Sequence, residues 1–370
     1  MRRRVASVGL VVGLACLSVA VVWAAHWWAL VTVDDPATAA VGDRSCTVLD
    51  ASDHPHISYA DSTNKDLKYA YFDGSQWVIE VADSAGDVGA GADTSIDVDS
   101  TGKAHISYYQ SGTIFQDLKY ARRSGPNTWS TETVTSAGNV GRFNSLALDS
   151  SNVPCIAYSD ETNHYLGYCK RSGAFWTFDT PDNSGYVGGP CSLALRSNGW
   201  PQIAYYYNDG TTKAIEYVRW SGLLWVWRPS IPNGAWPRLC IDSAGTSHIA
   251  YLGPTDHSLH YAIWNGTDWS TETVDAAADA WAAPGIGVGS DGVPQIAYCS
   301  GSFGNLKLAV RLGPSNWEIE TVDSSGQAWR NLSLAVGSAN DPQISYYRYD
   351  AQALWYAVTR GPLAVRWPRD

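Results

Sequence analysis

The sequence predicts an all-β fold assembled from seven copies of one unit of four short antiparallel strands. The motif Ile-(Ser/Ala)-Tyr recurs seven times, and the spacing between its successive tyrosines stays between 46 and 50 residues. Each copy contains segments rich in Val, Ile, Thr and Tyr that are separated by turn residues, a pattern typical of a β-meander. The ends of the repeat array lack the atypical polar caps that a solenoid needs. Together these observations predict a seven-bladed β-propeller of four-stranded antiparallel blades.

The unit is clearest in the second copy. Its first strand begins near Ser95, its second carries the motif that ends at Tyr108, its third contains Leu118-Lys119-Tyr120, and its fourth opens at Trp129. The tyrosines that fix the register of the seven copies are Tyr59, Tyr108, Tyr158, Tyr205, Tyr251, Tyr298 and Tyr346. Every one of them follows an isoleucine two places earlier, so both side chains lie on one face of their strand.

The last blade lacks a clear fourth strand after its third, and the N-terminus supplies a candidate. Residues Trp28–Asp34 resemble Trp269–Asp275, the fourth strand of the fifth copy. An N-terminal strand that completes the last blade joins both chain ends and removes an open sheet edge. The C-terminal segment Gly361–Asp370 is a competitor, but it lacks the opening tryptophan. We therefore expect closure by the N-terminal strand.

Residues 1–25 have the features of a secretory signal. Three arginines precede an uncharged apolar run from Val5 to Ala25, and Val22-Trp23-Ala24 is a plausible cleavage site. The run is long for a signal, so an uncleaved membrane anchor is the alternative. We expect cleavage, because the first predicted strand follows almost immediately. Residues 26–370 are then a single seven-bladed domain that is secreted into the periplasm or the extracellular space.

The mature chain is acidic. Removal of the three signal arginines leaves 22 basic residues against 36 acidic ones. Such a surface repels phosphate backbones, which argues against nucleic acid as a partner. A membrane partner is expected only if the N-terminal segment stays uncleaved.

The mature chain contains an even number of cysteines, which permits disulfides in a secreted protein. One pair has a register argument. If Ser159 faces Tyr165 across the hairpin of the third blade, Cys155 lies opposite Cys169, at a separation slightly long for a disulfide. The alternative is two small buried thiols.

Other recurring polar residues indicate scaffold positions. His56, His105 and His248 share one place in the repeat, where other copies have Gln or Cys. A position that accepts all three residue types suits a hydrogen bond between strands. Glutamates recur three residues after the fourth-strand tryptophan, as Glu80, Glu132, Glu272 and Glu320. No His or Cys spacing typical of a metal site is present, so no metal or cofactor is expected.

Departures from the repeat locate a candidate ligand site. Gly141 lies seven residues after the valine of its fourth strand, whereas the corresponding places in two later loops hold Trp281 and Trp329. Trp236 falls close to the same place, and arginines follow two of these tryptophans. Aromatic faces suit sugar rings, and arginines suit hydroxyls or a carboxylate. The candidate ligand-binding residues are therefore Trp236, Arg238, Trp281, Trp329 and Arg330. The alternative is that these tryptophans plug gaps in the core.

The repeat pattern resembles those of secreted bacterial seven-bladed propellers, a group loosely related to sialidase-like and lectin-like propellers. The resemblance rests on Pro-x-Ile-(Ser/Ala)-Tyr, Leu-x-Tyr-Ala and Trp-x-x-Glu-Thr-Val, and it covers Trp28 to about Ala357. It implies the fold, but a fold hosts many functions. The Asp-box of sialidases, Ser-x-Asp-x-Gly-x-Thr-Trp, is absent, since the turn before the fourth strand reads Asp73-Gly74-Ser75-Gln76-Trp77.

The predicted function is that of a secreted, non-catalytic propeller that recognises carbohydrate, a glycan or cell-surface polysaccharide, through loop aromatics on one face. No nucleophile, base and orienting group stand out together, so we do not expect an enzyme. One alternative is a polysaccharide-active lyase or glycosidase, sialidase-like in fold. The other is a scaffold for protein interactions.

Overall fold

A computed structural model of the chain describes residues 28–85, 87–89, 92–112, 116–301 and 304–359. The side chains of residues 188, 326 and 329–331 are outside this description. The predicted signal of residues 1–25 and the C-terminal competitor for closure also lie outside the described residues. The described part contains no helix long and apolar enough to cross a membrane.

Strands and turns account for the described architecture. The first strand, β1, covers Trp28–Asp34. Five four-stranded antiparallel sheets follow, each made of four consecutive strands. Sheet 1 contains β2 (Val41–Leu49), β3 (Pro55–Asp61), β4 (Asp66–Phe72) and β5 (Trp77–Asp83). Sheet 2 contains β6 (Thr94–Val98), β7 (Ala104–Tyr109), β8 (Leu118–Gly125) and β9 (Thr128–Thr135).

The next three sheets repeat this order. Sheet 3 contains β10 (Val140–Leu148), β11 (Pro154–Asp160), β12 (Tyr165–Ser172) and β13 (Phe175–Asp182). Sheet 4 contains β14 (Val187–Leu195), β15 (Pro201–Asn208), β16 (Lys213–Trp220) and β17 (Trp225–Pro232). Sheet 5 contains β18 (Ala235–Ile241), β19 (Ser247–Leu252), β20 (Leu259–Trp264) and β21 (Trp269–Asp275).

Sheet 6 has seven strands, because one long strand belongs to two repeats. Its strands are β22 (Gly285–Val288), β23 (Pro294–Ser300), β24 (Gly304–Gly313), β25 (Asn316–Val336), β26 (Pro342–Arg348), β27 (Ala353–Thr359) and β1. The first part of β25 pairs with β24, and the part from Ala328 onward pairs with β26. The fold is therefore an all-β propeller, with six blades if sheet 6 counts once and seven if it counts twice.

The second strand of each sheet is buried on both of its faces. In β3 all seven residues are buried, and Ile57 and Tyr59 are fully inaccessible. Two-sided burial requires neighbouring sheets on both sides, which is what stacking around an axis provides. The recurring Ile and Tyr of the motif therefore fill the space between sheets, which explains why every repeat keeps them.

The motif tyrosines also tie neighbouring sheets together by hydrogen bonds. In most repeats the tyrosine hydroxyl donates to an aspartate at the end of the preceding fourth strand. These bonds are Tyr59–Asp34 (2.7 Å), Tyr108–Asp83 (2.5 Å), Tyr205–Asp182 (2.7 Å), Tyr298–Asp275 (2.7 Å) and Tyr346–Asp323 (2.8 Å). A carboxylate acceptor makes each bond stronger than one between neutral groups, so the ring has a repeated polar clamp inside its apolar core.

The N-terminal strand closes the ring, as predicted. β1 pairs antiparallel with β27, from Trp28 opposite Thr359 to Asp34 opposite Leu354. Asp34 also accepts a hydrogen bond from Tyr59 and forms an ion pair with Lys68, both in sheet 1. The first strand therefore supplies to sheet 1 the same clamp that the other fourth strands supply to their neighbours.

The recurring glutamates form a second connection between sheets. Glu80 accepts bonds from Arg123 (2.6 and 3.0 Å) and from the indole N–H of Trp129 (2.9 Å) in the next sheet. The trio Glu272, Arg311 and Trp317 repeats this arrangement, and so does the trio Glu132, Arg171 and Trp176. These glutamates are thus part of the scaffold.

The predicted disulfide is wrong. The hairpin of sheet 3 pairs Ser159 with Leu166, one residue away from the expected register, so Cys155 lies opposite Lys170 and Cys169 lies opposite Ile156. Successive residues of a strand point to opposite faces. Cys155 therefore packs in the core between sheets 3 and 4, and Cys169 in the core between sheets 2 and 3. All six described cysteines are free thiols.

Candidate functional site

The first strands of all the repeats surround a central cavity of about 200 Å³. Consecutive first strands contact each other, and β25 contacts β2, so the ring of inner strands is continuous. Each first strand begins on the side of the propeller where fourth strands connect to the next first strands, which we term the connection face. Near that face the cavity is lined by Arg44, Asp93, Phe143, Trp236 and Arg238. We call these five residues the channel mouth.

The backbone at the channel mouth departs from regular strand geometry. Arg44, Phe143 and Trp236 have φ of 58°, 53° and 55°, in the left-handed region that non-glycine residues rarely occupy. Each lies at a shift in register between the first and second strands of its sheet. Such bulges redirect side chains next to functional sites.

Hydrogen bonds organise the acidic member of the channel mouth. One carboxylate oxygen of Asp93 accepts from the Arg44 guanidinium at 2.6 Å, and the other accepts the backbone N–H of Phe143 at 2.9 Å. Both side chains of the ion pair are mostly buried, at 16% and 12% exposed. The two oxygens of Asp93 therefore accept from two different first strands, β2 and β10, which fixes the position of Arg44.

A second cavity of about 320 Å³ adjoins the channel mouth and shares Phe143 and Trp236 with it. Its other aromatic and ring residues are Pro190, Tyr206, Pro254, His257 and Trp281. We call Tyr206, Trp236, Pro254, His257 and Trp281 the aromatic groove. It crosses sheets 4 and 5 and reaches the connection into sheet 6, so it runs along the connection face.

The tryptophans of the groove differ in exposure. The Trp281 side chain is 58% exposed, its N–H donates to Asp279 at 2.8 Å, and its ring lies 3.7 Å from the His257 ring, centroid to centroid. Trp236 is half-buried, packs on the core between sheets 5 and 6, and meets Phe143 edge to face. Trp281 thus presents a free aromatic surface, whereas Trp236 serves both the core and the cavity wall.

The structure separates the predicted site residues into three groups. Trp236 and Arg238 line the central cavity, and Trp281 lines the groove. Trp281 and Trp329 share one register position, but Trp236 lies two residues further along its strand, at the position of Phe143. The side chains of Trp329 and Arg330 are among those not described, so their place in the site stays a prediction.

The local backbone requires glycine at the position where these tryptophans occur in other repeats. Gly141 has φ of 99°, and a Cβ there would lie 2.7 Å from the Cα of Leu118. A side chain at this place therefore requires a different loop backbone. The insertion of Trp281 is thus a change of the whole connection and not a simple exchange of one side chain.

Sequence reasoning missed Arg44, Asp93, Phe143, Tyr206 and His257. The first three occupy one register position at the start of their first strands, and the residue type at this position differs in every repeat. Tyr206 lies near the end of β15 and His257 in the connection from β19 to β20, and their proximity to the groove depends on the tertiary fold.

The recurring histidines lie elsewhere and form bonds inside their own sheets. His56 bonds Tyr69, His105 bonds Tyr120, and His248 bonds Tyr261, each across two neighbouring strands. Burial lowers the pKa of all three imidazoles. Within the described residues, no group of three or more His, Cys, Asp or Glu side chains is arranged to hold a metal ion.

Comparisons with known proteins show the class of fold. No protein-family model matches the sequence, and no curated protein matches it. Among solved structures, the chain is similar to a polysaccharide lyase, PL25 ulvan lyase, with a TM-score of 0.64 and 13% identity over 91% of this chain and 99% of that one. It is also similar to SapL1 lectin in complex with α-methyl fucoside (TM-score 0.51, 13% identity, 80% and 98% covered). The GH93 α-L-arabinofuranosidase of Fusarium graminearum with arabinobiose has a TM-score of 0.50 at 12% identity, with 72% and 92% covered.

These neighbours establish the propeller fold alone, since all three identities are low. The three proteins reported above are a lectin, a lyase and a glycosidase, so their names are all carbohydrate-related.

Proposed function

We propose that this protein binds carbohydrate on its connection face, in the aromatic groove and the channel mouth. The observation that carries the proposal is the exposed ring of Trp281 on a concave wall that continues through Trp236 into the central cavity. The carbohydrate-related names of the structural neighbours are consistent with it.

The chemistry of the groove suits a sugar ring. Exposed tryptophan offers a large rigid surface for the apolar C–H face of a pyranose, and its indole N–H keeps a polar edge. Tyr206 and His257 line the same groove and supply groups that exchange hydrogen bonds with hydroxyls. A cavity of about 320 Å³ lies within the size range of small-ligand sites.

The test is a Trp281→Ala variant titrated with glycans that the wild-type protein retains on a glycan array. We expect at least a tenfold loss of affinity with an unchanged melting temperature, because the ring is exposed and makes few core contacts. The matched control is Trp227→Ala, which removes a tryptophan of similar exposure, 52%, from the outer strand β17. Equal affinities for wild type and both variants would refute the proposal.

A polysaccharide-active enzyme is the second candidate, and His257 is the observation that favours it. An imidazole in a groove is the commonest general acid or base, and this one lies beside the most exposed groove aromatic. Release of reducing ends or of unsaturated uronate from a polysaccharide panel, lost in His257→Ala, would assign catalysis. Binding without turnover would leave the lectin-like function, and protein capture without glycan binding would indicate an interaction scaffold.

We also infer that the propeller has seven blades in a single domain of residues 26–370. The two parts of β25 pair with different strands, and each half of sheet 6 then contains four strands, like sheets 1–5. We further propose secretion after cleavage near Ala24. Sequencing the N-terminus of exported protein tests the cleavage, and an intact Met1 would contradict it.

A further inference from the structure

A ring of small residues lines the central cavity, at the first-strand position that pairs with the Ser or Ala of the Ile-(Ser/Ala)-Tyr motif. The occupants of this position are Cys46, Ser95, Ser145, Ser192, Arg238, Gly285 and Ser333. All seven line the central cavity. One of them, Arg238, is therefore a large cation where the other repeats have a small side chain.

The serines of this ring have a structural task. The hydroxyl of each accepts a backbone N–H from the first strand of the next repeat, at 2.9 to 3.0 Å. The four bonds are Leu146 to Ser95, Leu193 to Ser145, Leu239 to Ser192 and Thr47 to Ser333. The ring of serines thus joins successive inner strands.

Arg238 cannot perform this task, because a guanidinium has donors and no acceptor. The corresponding amide of the next first strand, that of Ile286, therefore cannot donate to it. The side chain of Arg238, whose backbone is paired with β19, also makes no hydrogen bond and no ion pair with any residue that the structure describes. The fifth repeat therefore lacks this hydrogen bond between first strands and instead has an unpaired positive charge in the cavity.

The surroundings of Arg238 leave its charge uncompensated. Burial lowers the pKa of Arg238, and the nearby Asp93 only partly offsets this effect. Asp93 is already bonded to Arg44 and to the N–H of Phe143. The Nε of Arg44 is itself buried without a hydrogen-bond partner in the described structure. The charged side chains of the described cavity lining are Arg44, Arg238 and Asp93, two cations and one anion.

We propose that the saccharide bound on the connection face is acidic, and that Arg238 binds its carboxylate or sulfate ester inside the channel mouth. This inference rests on the proposed carbohydrate-binding function and adds the class of ligand to it. The planar guanidinium donates two parallel bonds to either anion. Trp236, between the cavity and the groove, contacts the attached sugar ring. In a chain with a net charge of −11, a half-buried cation whose side chain has no partner among the described residues marks a place built for an anion.

The experiment is calorimetric titration of the full mature chain with three oligosaccharides of equal length: one neutral, one with uronate carboxylates and one neutral backbone with sulfate esters. We expect at least a tenfold preference for one or both anionic ligands over the neutral one, weakening as salt rises. The uronate and sulfate arms distinguish the two sources of the charge.

Three variants separate recognition from structure. Arg238→Ser restores the small residue of the other repeats, so it should abolish the anionic preference while keeping the melting temperature equal or higher. Arg238→Lys should keep the preference at a several-fold lower affinity. The control is Arg122→Gln, which removes an arginine whose side chain is 52% exposed, next to the first-to-second-strand turn of sheet 2; it should leave the preference unchanged.

The outcomes distinguish failure of this inference from failure of the proposed carbohydrate-binding function. Equal binding of neutral and anionic oligosaccharides, unaffected by Arg238→Ser, would overturn the inference and leave carbohydrate binding intact. No binding of any oligosaccharide would refute both. A melting temperature that falls by several degrees in both Arg238→Ser and Arg238→Lys would show that Arg238 is a structural residue, and would also overturn the inference.

Discussion

Closure of the ring by the first strand makes a quantitative prediction for the variant Asp34→Ala. The Asp34 carboxylate accepts the Tyr59 hydroxyl at 2.7 Å and pairs with Lys68. Tyr59 is fully buried, so its hydroxyl would lose the acceptor that it has among the described residues. An unsatisfied buried hydroxyl costs about 1 to 3 kcal/mol, and the buried ammonium of Lys68, whose side chain is 12% exposed, loses its partner as well. We expect the free energy of unfolding to fall by about 2 to 4 kcal/mol.

The assay is equilibrium unfolding in urea, with Asp323→Ala as the matched control. Asp323 accepts the Tyr346 hydroxyl at 2.8 Å between the two halves of sheet 6, far from the chain ends in sequence. If β1 holds the ring closed, both variants lose stability and Asp34→Ala loses at least as much. A change below about 0.5 kcal/mol for Asp34→Ala, with a clear loss for Asp323→Ala, would refute closure by the N-terminal strand.

Two further variants test the scaffold. Glu272→Ala leaves the Arg311 guanidinium and the Trp317 N–H without their shared acceptor. The free energy of unfolding should therefore fall by about 2 to 4 kcal/mol, whereas Glu318→Ala, at an exposed position of β25, should change it little in the same urea titration. Equal effects of the two variants would contradict the scaffold role. Burial raises the pKa of Asp97 to about 6 from an ordinary value of 3.8, so the folded state binds this proton more tightly than the unfolded state, and the contribution of Asp97 to stability falls as the pH rises from about 4 through 6. Asp97→Asn lacks this titration, and its stability relative to wild type should therefore rise by about 1 to 3 kcal/mol between pH 4.5 and pH 7, while a difference independent of pH would contradict the buried carboxylate.

The scaffold was largely predictable from the sequence because its strand motifs recur in every repeat. The closing strand has the predicted bounds, Trp28–Asp34. Its sequence has the fourth-strand pattern but lies at the N-terminus, and a strand of this kind can pair with few segments other than the last third strand. Glu80 and its equivalents were recognised as scaffold, but their partners were not. The partner arginines, such as Arg123, lie in the next repeat. Arg123, Arg171 and Arg311 recur at one third-strand position, but the sequence alone does not show which neighbouring sheet they contact.

Predictions were less accurate where they depended on the sequence of a single repeat. The disulfide between Cys155 and Cys169 required the register of a single hairpin, and an error of one residue moved the two thiols to opposite faces. Arg238 was selected for its place beside Trp236. Its more informative property is that it replaces a serine of the inner ring, and this became visible only when paired strands aligned the repeats residue by residue.

The pairing of Trp28 with Thr359 also sets the order in which the protein can fold. Each sheet up to the fifth forms from neighbouring segments, so those contacts are available as soon as their residues are synthesised. The final pair of strands joins nearly the full length of the chain, and such distant contacts form slowly. Until then β1 and β27 each expose an unpaired edge that another molecule can occupy. Exchange of β1 between two copies would satisfy both edges equally well, so crowded refolding should yield interlocked dimers that dilute refolding avoids.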